Sequence, residues 1–104
     1  MSFYDEIKEL RLQYLESLIN EIDQHLSSLS YDKLPSDKLR DFAHRIKGSG
    51  ASYGFDFITN KGSMISEMVK AFKKVDEIKK VLLSLREECD ASLKSIKLQG
   101  DKNG

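Results

Sequence analysis

The chain has little of what interrupts or cross-links a polypeptide. Its 104 residues contain one cysteine, one proline and no tryptophan. A single cysteine cannot form an internal disulfide, and Cys89 has no cysteine or histidine near it at zinc-ligand spacing. Cys89 falls on an apolar helical stripe, which predicts a small core residue. The long stretches without turn residues favour an all-helical fold.

An excess of charge of one sign is also absent. Lysine and arginine together number 17, and so do aspartate and glutamate. No overall field therefore draws the chain to nucleic acid or to an anionic membrane, and we expect neither as a partner. No apolar run approaches the ~18 residues of a membrane span, and the first ten residues lack the basic-then-apolar order of a signal peptide. These absences predict a cytoplasmic protein that recognises its partners through a local patch.

The length and the spacing of apolar residues predict one helical domain. A chain this short closes one hydrophobic core and leaves no room for a large active-site cavity. The first helix has apolar residues at three- and four-residue steps from Leu15 to Leu29, with room for a short separate helix before about Leu10. Pro35 and Ser36 mark the start of the second helix.

The second half of the chain predicts two more helices. Gly54 is expected to end the second helix, the third spans about residues 55–72, and the fourth runs from about Val75 to Ile96. Four amphipathic helices with short connections bury their stripes best as an antiparallel bundle. We therefore expect an all-α four-helix bundle over residues 1–98, followed by a flexible polar tail over 99–104.

One segment, AHRIKGSGASYG at residues 43–54, carries the residues that indicate chemistry. On a helical wheel the apolar residues of the second helix share one arc, and His44 lies about 150° from its centre. The imidazole is therefore predicted to face water. Arg40 precedes it on that face, and Lys47, Gly48 and Ala51 follow it.

The glycines of this segment predict three different roles. A glycine inside a helix costs about 0.5–1 kcal/mol relative to alanine. We interpret Gly48, together with Ala51, as leaving the His44 ring open to something large. Gly50 lies on the apolar face and predicts a close approach by another helix, and Gly54 is the expected stop.

The residues of this face fit nucleophilic chemistry on an anion, and a phosphoryl group is one anion that they would suit. An exposed imidazole is a nucleophile that can carry a covalent intermediate on one ring nitrogen. Arg40 and Lys47 would place positive charge beside an arriving anion. A phosphoryl group requires little more than a nucleophile, a cation and space around its oxygens.

The same segment resembles the signature of the histidine-containing phosphotransfer (HPt) domain family. In that signature the histidine is followed by lysine at the third position, glycine at the fourth, small residues, and glycine at the tenth; here these are His44, Lys47, Gly48, residues 49–52 and Gly54. The pattern of the family's next helix is matched by Ile58, Gly62 and Ile65. The length and the four predicted helices match a stand-alone domain.

The resemblance implies that His44 is a phosphoacceptor. It would take a phosphoryl group from the aspartate of one response-regulator receiver domain and pass it to another, with a hybrid histidine kinase upstream. Lys47 would assist phosphoryl binding or transfer, and Gly48 would make room for the receiver's loops. The protein would be a monomeric phosphohistidine carrier with no kinase activity and no cofactor of its own, and magnesium would belong to the partner receiver.

One position departs from the family pattern. Many members orient the histidine through a glutamine or a similar residue on the third helix, 22 positions later, where this chain has Ser66 followed by Glu67. A serine hydroxyl is shorter, so we expect Ser66 to reach the other ring nitrogen of His44 only through water.

Two other functions compete with this one. A helical interaction module without phosphoryl chemistry, in which His44 is merely exposed, stays open. A helix-turn-helix DNA binder built from residues 48–62 is disfavoured by the zero net charge and by the lack of lysine and arginine between 48 and 60. A bundle metal site is not expected, because His44 is predicted to face outward and no paired Glu-x-x-His motif is present.

Several further side chains have predicted positions. His25 is expected at the boundary of the first helix's apolar stripe. The expected core aromatics are Phe42, Phe55, Phe57 and Phe72. A partner usually docks through an apolar patch around the reactive groups, and the start of the first helix offers Leu10, Leu12 and Tyr14 for that patch.

Overall fold

The computed structural model describes residues 2–30, 33 and 35–103, the last four of them by backbone alone. Over this part the chain forms four α-helices and one short 3-10 turn: α1 (Phe3–Ser28), α2 (Asp37–Ser49), the turn (Ala51–Tyr53), α3 (Asp56–Lys70) and α4 (Val75–Asn103). The predicted all-α four-helix architecture is confirmed. None of these helices is apolar over a stretch long enough to cross a membrane.

The start of α1 differs from the prediction. A separate N-terminal helix is absent, since α1 runs without a break from Phe3 to Ser28. Its start is fixed by a reciprocal capping box: Ser2 Oγ accepts from the Asp5 amide, and the Asp5 carboxylate accepts from the Ser2 amide. Two of the four orphan amide groups of the helix are satisfied this way, so the first turn belongs to the same helix as the core residues.

The end of α4 also lies further along the chain than the apolar pattern predicted. The helix continues to Asn103, so residues 99–103 extend it. Whether this stretch is flexible stays a prediction, as does the division into a domain of residues 1–98 and a tail.

Each helix buries one stripe of apolar side chains in a shared core. α2 packs most extensively on α3, and α1 packs on α4. The largest fully buried side chains are Phe42, Leu15, Ile22, Leu39, Ile46, Ile58, Ile65, Ile78, Leu82, Leu85 and Cys89. The prediction that Cys89 is a core residue is therefore confirmed.

The predicted core aromatics divide into three groups. Phe42 and Phe55 are buried, and Phe57 packs partly buried against the core. The prediction for Phe72 is wrong, because this ring is 76% exposed. Since α3 ends at Lys70 and the chain turns there, Phe72 leaves the apolar stripe that the helical period assigned to it.

Two glycines set the distance between α2 and α3. A Cβ on Gly50 would lie 2.7 Å from the Thr59 amide nitrogen and 2.8 Å from Ile58 Cβ. A Cβ on Gly62 would lie 2.8 Å from Ile46 Cγ1 and 2.8 Å from the Lys47 amide nitrogen. Both contacts are too short for a methyl group, so glycine is required where the helices cross. The predicted packing role of Gly50 is confirmed.

Candidate functional site: the His44 face of helix α2

Helix α2 presents His44 to solvent. Ser36 caps the helix by accepting a hydrogen bond from the Leu39 amide at 3.3 Å. Asp37 lies in the first turn, where its negative charge interacts favourably with the helix dipole. The side chains that α2 buries are Leu39, Phe42, Ala43 and Ile46. His44 lies opposite this buried stripe and is exposed, which confirms the direction predicted from the helical wheel.

Two exposed cations lie one turn to either side of His44. Arg40 pairs with Asp37 at 3.4 Å, and both side chains are more than half exposed. Such a surface pair contributes about 0–1 kcal/mol, so an arriving anion can displace the carboxylate. Lys47 is exposed and forms no ion pair with any residue that the structure describes. Of the two cations, Lys47 is therefore the more available to an anion that arrives at His44.

The surface beside His44 is open at Gly48. A Cβ placed on Gly48 would meet nothing within 4 Å. Packing therefore does not require glycine here, in contrast to Gly50 and Gly62. The His44 ring also lies outside that 4 Å radius, which refines the sequence interpretation: a methyl group at 48 would not touch the imidazole, and only a longer side chain could crowd it.

Ala51 does not continue the wheel of α2. The α-helix ends at Ser49, five residues before Gly54, and Ala51 belongs to the 3-10 turn that follows. The turn is drawn tight because the Phe55 amide donates to the Gly50 carbonyl at 2.9 Å and the Ala51 amide donates to Thr59 Oγ1 at 2.9 Å. Gly54 closes it with φ 87°, so Gly54 ends the turn and not the α-helix.

Helix α3 supports the His44 backbone from one side. Besides its contact with Lys47, a Cβ on Gly62 would lie 2.9 Å from the Ala43 carbonyl oxygen. Ala43 and Lys47 bracket His44 in the chain, so the close approach of α3 fixes the segment that carries the imidazole. The sequence indicated Gly62 only through the family resemblance, because the crossing point of two helices is not visible in a local pattern.

Helix α1 supports α2 from the other side. Arg45 donates two hydrogen bonds to the Glu21 carboxylate, and its guanidinium lies 5.7 Å from the centre of the Phe42 ring. Arg45 is therefore committed to α1, although it adjoins His44 in sequence. Sequence reasoning missed this pair because the two residues are 24 positions apart.

A stack of rings fastens the turn after α2 to α1. Tyr14 lies parallel to Tyr53 with ring centres 4.1 Å apart, and its hydroxyl forms a 2.8 Å hydrogen bond with Ser49. Burial raises the pKa of the Tyr14 hydroxyl. Arg11 donates to the Tyr53 carbonyl at 3.0 Å and covers the Phe55 ring at 4.5 Å. These contacts hold the glycine-rich turn in place beside the His44 face.

The predicted docking patch on α1 is only partly exposed. Leu12 and Tyr14 pack against the core as partly buried side chains, whereas Leu10 is 55% exposed. Three apolar residues that the sequence analysis did not include are exposed at the same end of α1: Phe3, Tyr4 and Ile7. The spacing of apolar residues did not predict their exposure, because it does not show that this part of α1 lies beyond the end of the neighbouring helix α2.

Ser66, the residue predicted to orient the imidazole, is 6% exposed and lies on α3 one turn after Gly62. No direct hydrogen bond joins Ser66 to His44 among the residues that the structure describes. The predicted contact through water stays a prediction.

The His44 face is an open surface and not a cavity. Two clefts of about 430 and 460 Å³ lie elsewhere, one beside the α1–α2 connection and one between Gly54 and α4, and His44 lines neither. Within the described residues no group of three or more histidine, cysteine or acidic side chains is arranged to hold a metal ion.

The comparisons with known proteins identify no relative. No family model, no curated protein and no solved structure matches this chain. The proposed function therefore rests on the residues of the chain itself.

Proposed function

We propose that this protein is a phosphorelay intermediate in which His44 carries the phosphoryl group. It takes the group from the aspartyl phosphate of one receiver domain and passes it to the aspartate of another, as a monomer in the cytoplasm. One observation supports this most directly: the exposed imidazole lies between two exposed cations and beside Gly48, whose missing side chain serves no packing contact within 4 Å.

The transfer step balances with the two proteins and water alone. A ring nitrogen of neutral His44 attacks phosphorus, the P–N bond forms, and the P–O bond to the donor aspartate breaks. The aspartate leaves as a carboxylate, and the ring proton passes to water. The reverse sequence, with a second receiver's carboxylate as nucleophile, discharges the carrier.

The chain's own contribution is positioning and charge. Lys47, and Arg40 once it is released from Asp37, offset the negative charge of the phosphoryl oxygens. Gly62 and the Glu21–Arg45 pair position α2 against α3 and α1, so the imidazole is presented from a formed helix and no loop has to be ordered. Magnesium, where transfer requires it, is expected on the receiver.

A partner that covers His44 has further apolar surface within reach. Tyr14 and Glu21 place one side of α1 against α2, and Phe3, Ile7 and Leu10 continue that side beyond the end of α2. Contiguous exposed apolar side chains often mark a protein interaction site. A receiver bound over His44 can overhang the end of α2 and cover this stripe.

The test examines separately whether His44 is the nucleophile and whether receiver domains donate to it. Phosphoramidate, a small phosphoryl donor, is incubated with the wild-type protein and with His44→Gln, and the label is tested for acid lability and alkali stability. The wild type is then incubated with phosphorylated receiver domains. We expect label on the wild type from both donors and none on His44→Gln.

Two outcomes would overturn the proposal. Label that persists in His44→Gln would place the phosphoryl group on another residue. A wild type that several phosphorylated receivers fail to label would end the relay proposal and would leave the helical interaction module, for which the exposed stripe at Phe3, Ile7 and Leu10 is the favouring observation.

A further inference from the structure

The turn between α3 and α4 contains a strained residue. Phe72 has φ 54°, the one positive φ at a non-glycine residue in the described chain. The turn closes as a Schellman motif, in which the Lys73 amide donates to the Met68 carbonyl at 3.0 Å and the Phe72 amide donates to the Val69 carbonyl at 3.2 Å. Glycine usually occupies the position that Phe72 holds, because a Cβ is unfavourable in this conformation.

Little packing compensates for this strain. The Phe72 ring is 76% exposed, and it takes part in no ring stack or cation–π pair among the described residues. An exposed aromatic ring held in an unfavourable backbone conformation is typical of a residue that contacts something outside the chain.

The ring is surrounded by positive charge. Lys70, Lys73 and Lys74 are all exposed. Lys70 has a loose pair with Glu67 at 3.9 Å, whereas Lys73 and Lys74 have no ion pair in the part of the chain that the structure covers. Residues 67–80 contain five lysines and three carboxylates in a chain of zero net charge. The helix dipole accounts for lysines after α3, but it does not account for the phenyl ring.

This turn follows the helix that packs against the segment carrying His44. Gly50 contacts Ile58 and Thr59, and Gly62 contacts α2 on both sides of His44, so α3 runs antiparallel to α2. Ten residues separate Gly62 from Phe72, which corresponds to about 15 Å at the helical rise. A receiver-sized domain of ~120 residues has a diameter of about 35 Å. One bound domain can therefore cover both His44 and Phe72.

We propose that residues 70–74, with Phe72 as the anchor, are a docking contact for the protein that exchanges phosphoryl groups with His44. The surface they meet is an apolar pocket bordered by carboxylates, since an aromatic ring that follows Lys70 and precedes the unpaired Lys73 and Lys74 complements that arrangement. This proposal rests on the proposed relay function and names a contact that lies outside the reacting groups.

The experiment measures phosphotransfer from a phosphorylated receiver to three variants: Phe72→Gly, the double variant Lys73→Gln with Lys74→Gln, and the control Leu98→Ala. Leu98 is an exposed apolar residue on the distal part of α4. Phe72→Gly relieves the backbone strain, so it is expected to fold at least as stably as wild type, and slower transfer cannot be attributed to unfolding. Labelling of each variant by phosphoramidate reports the chemistry of His44 without docking.

For Phe72→Gly we expect KM for the receiver to rise about tenfold with kcat little changed, which is the size of effect that truncating an aromatic anchor produces. For the lysine variant we expect a higher KM and a weaker dependence of KM on salt than in wild type. Leu98→Ala should transfer as wild type does, and all variants should be labelled equally by phosphoramidate.

The results distinguish a failure of the docking proposal from a failure of the relay proposal. Equal KM values for wild type and Phe72→Gly with an active receiver would overturn the docking proposal alone. A receiver that labels no variant, while phosphoramidate labels His44, would overturn the relay proposal and the docking proposal with it. Loss of phosphoramidate labelling in Phe72→Gly would show that Phe72 acts on the imidazole and would also overturn docking.

Discussion

Gly62 of α3 lies against the backbone of Lys47 in α2, so closely that a Cβ on the glycine would stand 2.8 Å from the lysine amide nitrogen. Lys47 follows His44 by one helical turn. The position of the imidazole therefore depends on a glycine in the neighbouring helix, which the local sequence around His44 does not contain.

Replacing Gly62 by alanine should destabilise the fold. The added methyl would meet the Ala43 carbonyl oxygen and the Lys47 amide nitrogen. Because these are main-chain atoms that cannot rotate away, the backbone of α2 has to move. Overpacking of this kind costs about 1–3 kcal/mol in the free energy of unfolding. Urea denaturation of Gly62→Ala and wild type measures it, and equal midpoints would mean that α2 and α3 are less closely packed than the structure has them.

Replacing Gly48 by alanine should have the opposite effect. A Cβ there meets nothing within 4 Å, so the helix gains the difference in propensity, about 0.5–1 kcal/mol. Urea denaturation of Gly48→Ala and wild type shows whether the free energy of unfolding rises as expected.

Replacing Gly48 by glutamine should affect the access of a partner to His44 without affecting the stability of the fold. We expect the variant to fold as stably as wild type but to accept phosphoryl groups from a receiver more slowly, whereas Gly48→Ala transfers nearly as wild type does. Equal rates for glycine, alanine and glutamine at this position would show that the open space beside His44 has no role in transfer.

Replacing Phe72 by glycine should stabilise the protein by roughly 1 kcal/mol, because glycine adopts a positive φ without the Cβ penalty. Phe72→Ala is the matched control, since it removes the ring and keeps the Cβ. If the alanine variant gains as much stability as the glycine variant, the gain comes from removing the ring and not from the backbone.

The stability of the protein should depend on pH through His25. This ring is half-buried and packs against Phe42 with centres 4.7 Å apart. Burial lowers the pKa of His25 below 6.5; Glu21 partly offsets this, and Arg45 and Lys38 add to it. Between the lowered folded value and 6.5 the unfolded chain binds the proton more readily, so stability is complete above about pH 6.5 and falls as the pH drops below it.

Denaturation midpoints measured from pH 7.5 to pH 5, for wild type and for His25→Gln, check this dependence. The variant should lose less stability than wild type over that window. Parallel curves would show that His25 is equally solvated in the folded and the unfolded protein.

Cys89 should be unreactive in the folded protein. Its side chain is fully buried, and burial raises the pKa of the thiol to about 12, so almost no thiolate is present at pH 8. A thiol-specific reagent such as DTNB should react with Cys89 only after denaturant is added. Rapid reaction in native buffer would contradict the core position of Cys89.

The sequence by itself determined the helical class, most of the core and the outward direction of His44. Each of these follows from the period of apolar residues along one helix, and α2 keeps that period from Leu39 to Ile46. The same period failed at Ala51 and at Phe72, because it cannot show where hydrogen bonding of the next turn replaces the helix.

Only the tertiary structure decided how α2 is held. Gly62 against Lys47, Arg45 on Glu21, and Tyr14 on Ser49 each join residues that are at least 15 positions apart in the chain. Such contacts are set by how closely two helices approach and by where each helix ends. A local pattern determines which face of a helix is buried, whereas the neighbouring helices determine which of its exposed residues remain free to act.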